Sequence, residues 1–137
     1  MKFSKWILLL IGSFLLSGAC SSDSNEPDTD ETTVSISTPS VTNVTDDKAN
    51  IIATITTNTP SAILKKGICY DTQSNPTISS RTVEMSSAGL SLNLTLSDLE
   101  PETKYYAKAF VTVANGNPVY SSEITFTTAS RSVTSEL

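Results

Sequence analysis

Leu99-Glu100-Pro101-Glu102-Thr103-Lys104-Tyr105, running on into Tyr106-Ala107-Lys108-Ala109-Phe110-Val111-Thr112-Val113, is the stretch whose reading decides the fold. From Tyr105 onward the residues alternate. Tyr105, Ala107, Ala109, Val111 and Val113 take one side; Tyr106, Lys108, Phe110 and Thr112 take the other. Successive side chains of a strand point to opposite faces, so this period of two reads as a strand with one face in the core.

The same period recurs on either side. Leu90-Ser-Leu92-Asn-Leu94-Thr-Leu96 alternates most cleanly, Ala49–Ile55 is a second example, and Ile124-x-Phe126-x-Thr128 a third. Weaker candidates cover Val34–Val44, Ile63–Tyr70 and Arg81–Ser86. Turn signals stand between them at Asn58-Thr-Pro60, Ser74-Asn-Pro76, Ala88-Gly89 and Asn115-Gly-Asn-Pro118. No segment sustains a helical period with caps. Seven short strands over about 100 residues predict one all-β domain, an antiparallel sandwich spanning 34–129.

The opening stretch also matches the L-x-P-x-T-x-Y pattern of fibronectin type III domains. Gly67-Ile-Cys69-Tyr70, Asn75-Pro76-Thr77, Tyr105-Tyr106-Ala-Lys108-Ala109-Phe110, Gly116, Tyr120 and Phe126-Thr-Thr128 extend the likeness. The domain resembles the fibronectin type III-like modules of Bacteroidetes-type surface lipoproteins. That resemblance implies a seven-stranded, immunoglobulin-like sandwich with a structural tyrosine corner. In it Leu99 plugs the core, Pro101 and Thr103 shape the bend, and the Tyr105 hydroxyl bonds back to the backbone. One departure stands out: animal members usually bury a tryptophan in the second strand, whereas the only tryptophan here is Trp6.

The chain begins as a secreted lipoprotein would. Lys2 and Lys5 precede an apolar run from Trp6 to Leu16, then the small residues Ser17-Gly18-Ala19, then Cys20. The run falls short of the ~20 residues of a membrane span and has the build of a signal peptide, residues 1–19. Leu16-Ser-Gly-Ala-Cys20 resembles a lipobox, which implies that Cys20 is acylated and becomes the first mature residue. Leucine lies one position further upstream than is usual. An ordinary signal peptide cut near Ala19, leaving a free Cys20 thiol, is the other reading.

Residues 20–33 follow as an acidic tether. Asp23, Glu26, Asp28, Asp30 and Glu31 stand in a stretch without large apolar residues, a composition that cannot bury enough surface to offset chain entropy. Acid-rich stretches at this place resemble the export signal for the outer face of the outer membrane. The formal charge of −5 belongs mostly here, since the segment 34–129 sets six basic residues against eight acids. Residues 130–137 read as a flexible tail.

Little in the sequence supports catalysis. Histidine is absent, which excludes Ser-His and Cys-His nucleophiles. Cys69, mid-strand, reads as a small buried hydrophobe, and its separation in role from Cys20 leaves no disulfide. Asp46-Asp47 lacks the oxygen spacing of a calcium loop, and zinc ligands are too few, so no metal and no cofactor are expected. Lys65-Lys66 reads as a solvated face, and without a basic stripe no nucleic-acid partner is expected.

Binding is the remaining possibility. By parity Tyr106 and Phe110 lie opposite Tyr105, on the solvent side, where they form a candidate ligand face. The sequence thus predicts a lipid-anchored, non-enzymatic module for protein interaction, adhesion or structural support at the outer membrane, facing outward. The alternative is a glycan-binding accessory lipoprotein for polysaccharide capture.

Overall fold

A computed structural model of the chain describes residues 31–114 and 116–133. The signal peptide, Cys20 and most of the tether therefore lie outside the described residues, as do 134–137. Nine strand segments are present: β1 (Val34–Ile36), β2 (Ser40–Thr42), β3 (Ala49–Thr57), β4 (Ile63–Asp71), β5 (Arg81–Glu84), β6 (Ser91–Leu96), β7 (Lys104–Val113), β8 (Val119–Tyr120) and β9 (Ile124–Thr127). Their only helical companion among the described residues is one 3-10 turn, Pro60–Ala62.

All pairings are antiparallel and fall into two sheets. In the first, β3 is central, with β1 and β2 along one edge and β6 along the other. In the second, the order is β5-β4-β7, and β7 carries β8 and β9 on its far edge. β1 and β2 are two halves of one strand, as are β8 and β9. Nine segments thus make the seven strands of an immunoglobulin-like sandwich.

Each interruption has a cause. Between β1 and β2 stands Pro39, which has no N–H for the ladder. Beside it, Ser37 takes over the bonding: its N–H donates to the Thr54 carbonyl (2.9 Å), and its hydroxyl accepts from Thr54 N–H (3.0 Å). Between β8 and β9 the chain bulges at Ser121, whose buried hydroxyl accepts from Ala109 N–H at 2.9 Å and donates to the Ser122 carbonyl.

The core lies where alternate residues of the sheets meet. Ala49, Ile51, Ala53 and Ile55 of β3 and Leu92 and Leu96 of β6 face Ile68 and Tyr70 of β4 and Tyr105, Ala107, Ala109 and Val111 of β7. Tyr105 stacks on Phe126 at 5.7 Å and meets Tyr70, tilted, at 6.2 Å. These three rings supply the core's aromatic share among the described residues, which include no tryptophan.

β4 departs from simple parity. Its register with β7 slips between Ile63 and Lys65, so Leu64 is bulged out and 66% exposed. The extra residue lets Ile63 pack on the core and still brings Lys66, Ile68 and Tyr70 inward. The expected solvated face at Lys65-Lys66 is therefore corrected. Only Lys65 is solvated, whereas Lys66 is buried and its ammonium donates to the Ser87 carbonyl.

Candidate binding surfaces

One end of the sandwich is closed by the stretch from Leu99 to Tyr105. Leu99 and Tyr105 are both buried, and the Tyr105 hydroxyl accepts a hydrogen bond from Glu100 N–H at 2.9 Å. The Thr103 hydroxyl donates to the Pro101 carbonyl (2.8 Å), while Thr103 N–H donates to the Thr128 hydroxyl (2.9 Å). Thr128, only 3% exposed, donates its own hydroxyl hydrogen bond to the Glu100 carbonyl at 2.6 Å.

Backbone bonds extend this closure. Leu99 N–H donates to the Asp47 carbonyl, Glu102 N–H to that of Ala129, and Ala129 N–H to that of Thr45. Asp98 and Glu102 hold φ of 58° and 50°, a left-handed conformation that costs a non-glycine residue about 1–2 kcal/mol. The surrounding bonds over-determine the bend and keep it there. This end is a clasp, and although Phe126-Thr-Thr128 belongs to the family likeness, nothing in that string marks the Thr128 hydroxyl as its central group.

The acids near the clasp are engaged locally. Asp47 accepts from the Thr45 hydroxyl at 3.1 Å, and Asp46 lies 3.8 Å from the Arg131 guanidinium. Among the described residues no group of three or more His, Cys, Asp or Glu side chains is placed to hold a metal ion. A small cleft of about 190 Å³ beside the clasp is lined by Asp71, Thr72, Arg81, Glu100 and Tyr105.

The expected ligand face at Tyr106 and Phe110 is not there. Phe110 does lie on the side of β7 away from the core, but it is 2% exposed. The connection 72–80 folds across that side. Pro76 is buried, Ile78 N–H donates to the Tyr120 hydroxyl (3.1 Å), and Lys108 Nζ reaches Asn75 Oδ1 (3.3 Å). Asn75 N–H also donates to the Glu123 carboxylate, tying the segment to the bulge before β9. Tyr106 alone stays half-exposed, with the Lys104 ammonium 5.2 Å above its ring.

Cys69 is buried on this same covered side. Its thiol lies 3.6 Å from the Lys108 carbonyl, and burial pushes its pKa up to about 11, against the pull of the nearby Lys108 charge. A thiol so held is neutral and unreactive near pH 7. Tyr70 is likewise raised, chiefly by burial, although Arg81 sits 5.7 Å over its ring.

The end opposite the clasp is open. A groove of about 650 Å³ runs between the start of β4 and the connection 84–90, lined by Ile63, Leu64, Met85 and Leu90 with Lys65, Lys66 and Glu84. Its size suits a ligand or a peptide side chain cluster. Lys65 and Glu84 form an exposed ion pair at 3.4 Å on its rim. Sequence reasoning missed the groove because it depends on the Leu64 bulge and on Met85 N–H bonding to the Lys66 carbonyl, both long-range.

Comparison with known proteins supports the architecture. No family model matches the chain. No curated protein matches it either. Solved structures do. The chain is similar to the third fibronectin III domain of the human KIAA0343 protein, at 17% identity and a TM-score of 0.54, over 86% of this chain and 99% of that one. It is similar to a long form of the sensor domain of the anti-sigma factor RsgI4 in Pseudobacteroides cellulosolvens, at 24% identity and a TM-score of 0.53, covering 77% and 98%. A myokine structure matches at 16% identity and 0.52, covering 69% and 96%. Identities this low speak for the fold alone. The fold is that of a fibronectin type III sandwich.

Proposed function

We propose that the chain is an outer-membrane lipoprotein, anchored through acylated Cys20 and facing outward, whose sandwich is a non-catalytic module for protein interaction, adhesion or structural support. The observation that carries the interaction role is the contrast between the sandwich's ends. The clasp end bonds its backbone groups internally, while the groove end leaves Leu64 exposed beside a half-buried apolar lining. The sequence of the leader and tether supports the anchoring. Each buried methylene contributes about 0.8 kcal/mol, so two or three acyl chains hold where one holds only marginally.

Burial of Phe110 removes half of the aromatic shelf on which capture of a polysaccharide would rest, so protein is the favoured partner class. Crosslinked pull-down from intact cells with the lipidated chain tests this, run beside a Leu64→Asp variant. Leu64 is exposed, so the variant should fold; a partner captured equally by both would overturn the groove's role. Anchoring is tested separately. Cys20→Ala should lose incorporated palmitate and leave the membrane fraction, and protease added to intact cells should digest the sandwich.

A further inference from the structure

A sandwich has four lateral strand edges, and each is a potential template for another chain. Three of them are interrupted here. The β1/β2 edge is broken at Pro39, the β8/β9 edge at the Ser121 bulge, and β5 is four residues long with Arg81 and Glu84 at its ends. The fourth, β6, is different. Ser91-Leu-Asn-Leu-Thr-Leu96 pairs with β3 through six consecutive positions without a bulge, and it contains neither a charge nor a proline.

The direction of its free groups follows from the register. Ile55 N–H donates to the Leu90 carbonyl, so Ala53↔Leu92, Ile51↔Leu94 and Ala49↔Leu96 are the pairs whose backbone groups turn toward each other. The N–H and C=O of Ser91, Asn93 and Thr95 therefore point to the open edge. Among the described residues nothing pairs with that side of β6.

The sheet behind this edge is also neutral. Its outward side carries Ser35, Thr42, Asn50, Ile52, Thr54, Thr56, Ser91, Asn93 and Thr95 and no charged side chain. Asn50 links Thr42 to Thr95 by hydrogen bonds of 3.4 and 3.0 Å. An acidic or basic partner strand would find nothing to complement here. A second copy meets no like charge.

We propose that β6 is a strand-addition edge for a second copy of this chain, paired antiparallel about a two-fold axis at Asn93. Placing Asn93 opposite Asn93 sets Ser91 opposite Thr95 on both sides, so all three outward-pointing residues of each copy are bonded. The shift to Asn93 opposite Thr95 leaves Ser91 beyond the strand of the partner copy. In the favoured register the half-exposed Leu94 lies across from Leu92 of the second copy and is covered by it. The edge begins at Ser91, next to Leu90 of the groove, but none of Ser91, Asn93 and Thr95 lines the groove, so this pairing stands or falls independently of the groove's partner.

Sedimentation equilibrium of the mature chain, residues 20–137 with Cys20→Ala so that neither leader nor acyl chain drives association, tests the proposal with charge variants. Wild type should dimerise reversibly, and Asn93→Lys, which sets two ammonium groups across the axis, should raise the dimer Kd at least about tenfold. Ser91→Lys with Thr95→Lys should abolish the dimer, whereas Ser91→Lys with Thr95→Glu should restore it, because lysine then faces glutamate only in this register. Thr56→Lys, on the same neutral side but away from the edge, should change nothing. A wild type that stays monomeric up to about 1 mM, or association indifferent to Asn93→Lys, would overturn the proposal.

Discussion

The outward sides of the two sheets began with the same sequence pattern and ended differently. Both alternate core residues with outward ones at period two. On the β5-β4-β7 sheet the outward side is roofed by 72–80, which turns Pro76 inward over the buried Phe110 and Cys69, with Lys108, Tyr120 and Glu123 bonding the roof down. On the β3-β6 sheet it is bare, polar and uncharged. A strand's parity decides which side a residue takes, but whether that side meets water depends on what crosses it.

The predictions probe that difference, beginning with the roof. Phe110→Ala should cost about 3–5 kcal/mol, the usual loss for emptying a buried phenylalanine, read as a fall in the chemical denaturation midpoint. If the outward side of β7 were in effect solvent-facing, the loss would stay within about 0.5 kcal/mol. Gly67→Ala, across from Phe110, comes next. A Cβ there would stand 2.2 Å from the Val83 carbonyl oxygen and 2.9 Å from Glu84 Cα, so backbone must move. Overpacking of this kind costs about 1–3 kcal/mol, and here the upper end is expected because the obstacle is main chain.

Cys69 gives the roofed side a pH signature. Its pKa is higher folded, about 11, than its ordinary value of 9.0, so between these values the native state keeps a proton that the unfolded chain has lost. The Cys69 contribution to stability should be constant below about pH 8 and fall as pH rises toward 11, by about 2 kcal/mol, and Tyr70 shifts in the same direction. Cys69→Ser should flatten most of this slope in denaturation curves collected from pH 8 to 11. A thiol-alkylating reagent should find Cys69 only on unfolding.

Tyr105→Phe touches neither outward side and serves as a reference. Leaving Glu100 N–H unpaired should cost about 1–3 kcal/mol by calorimetry, and no loss would show that the clasp does not depend on that bond. The bare sheet closes the series. Asn93→Lys should leave monomer stability within about 0.5 kcal/mol, since its side chain and backbone groups point outward, while still acting on self-association.

Much of this fold was legible in residue order. The alternations at 49–55, 90–96 and 105–113 place β3, β6 and β7 because a half-buried strand must repeat every two residues. Leu99 and Tyr105 stand out by their spacing. The weak candidate at 34–44 was a single strand by composition, and it splits because Pro39 cannot join the ladder. Lys66 misled because parity with Ile68 and Tyr70 gives only its side, while its burial depends on the connection after β5, whose Ser87 carbonyl takes its ammonium. Phe110 misled because its cover comes from residues some thirty positions earlier in the chain.

The sequence by itself determined the alternation of sides, the turns, the absence of a histidine and the concentration of net negative charge in the residues before the sandwich. These are properties of neighbouring residues and need no partner from elsewhere. Only the tertiary structure decided which outward side would be roofed, which lysine would be buried, that Thr128 would seal the clasp and that β6 would be left as an uninterrupted edge. Each of those depends on segments distant in sequence meeting in space, and a one-dimensional pattern carries no record of that meeting.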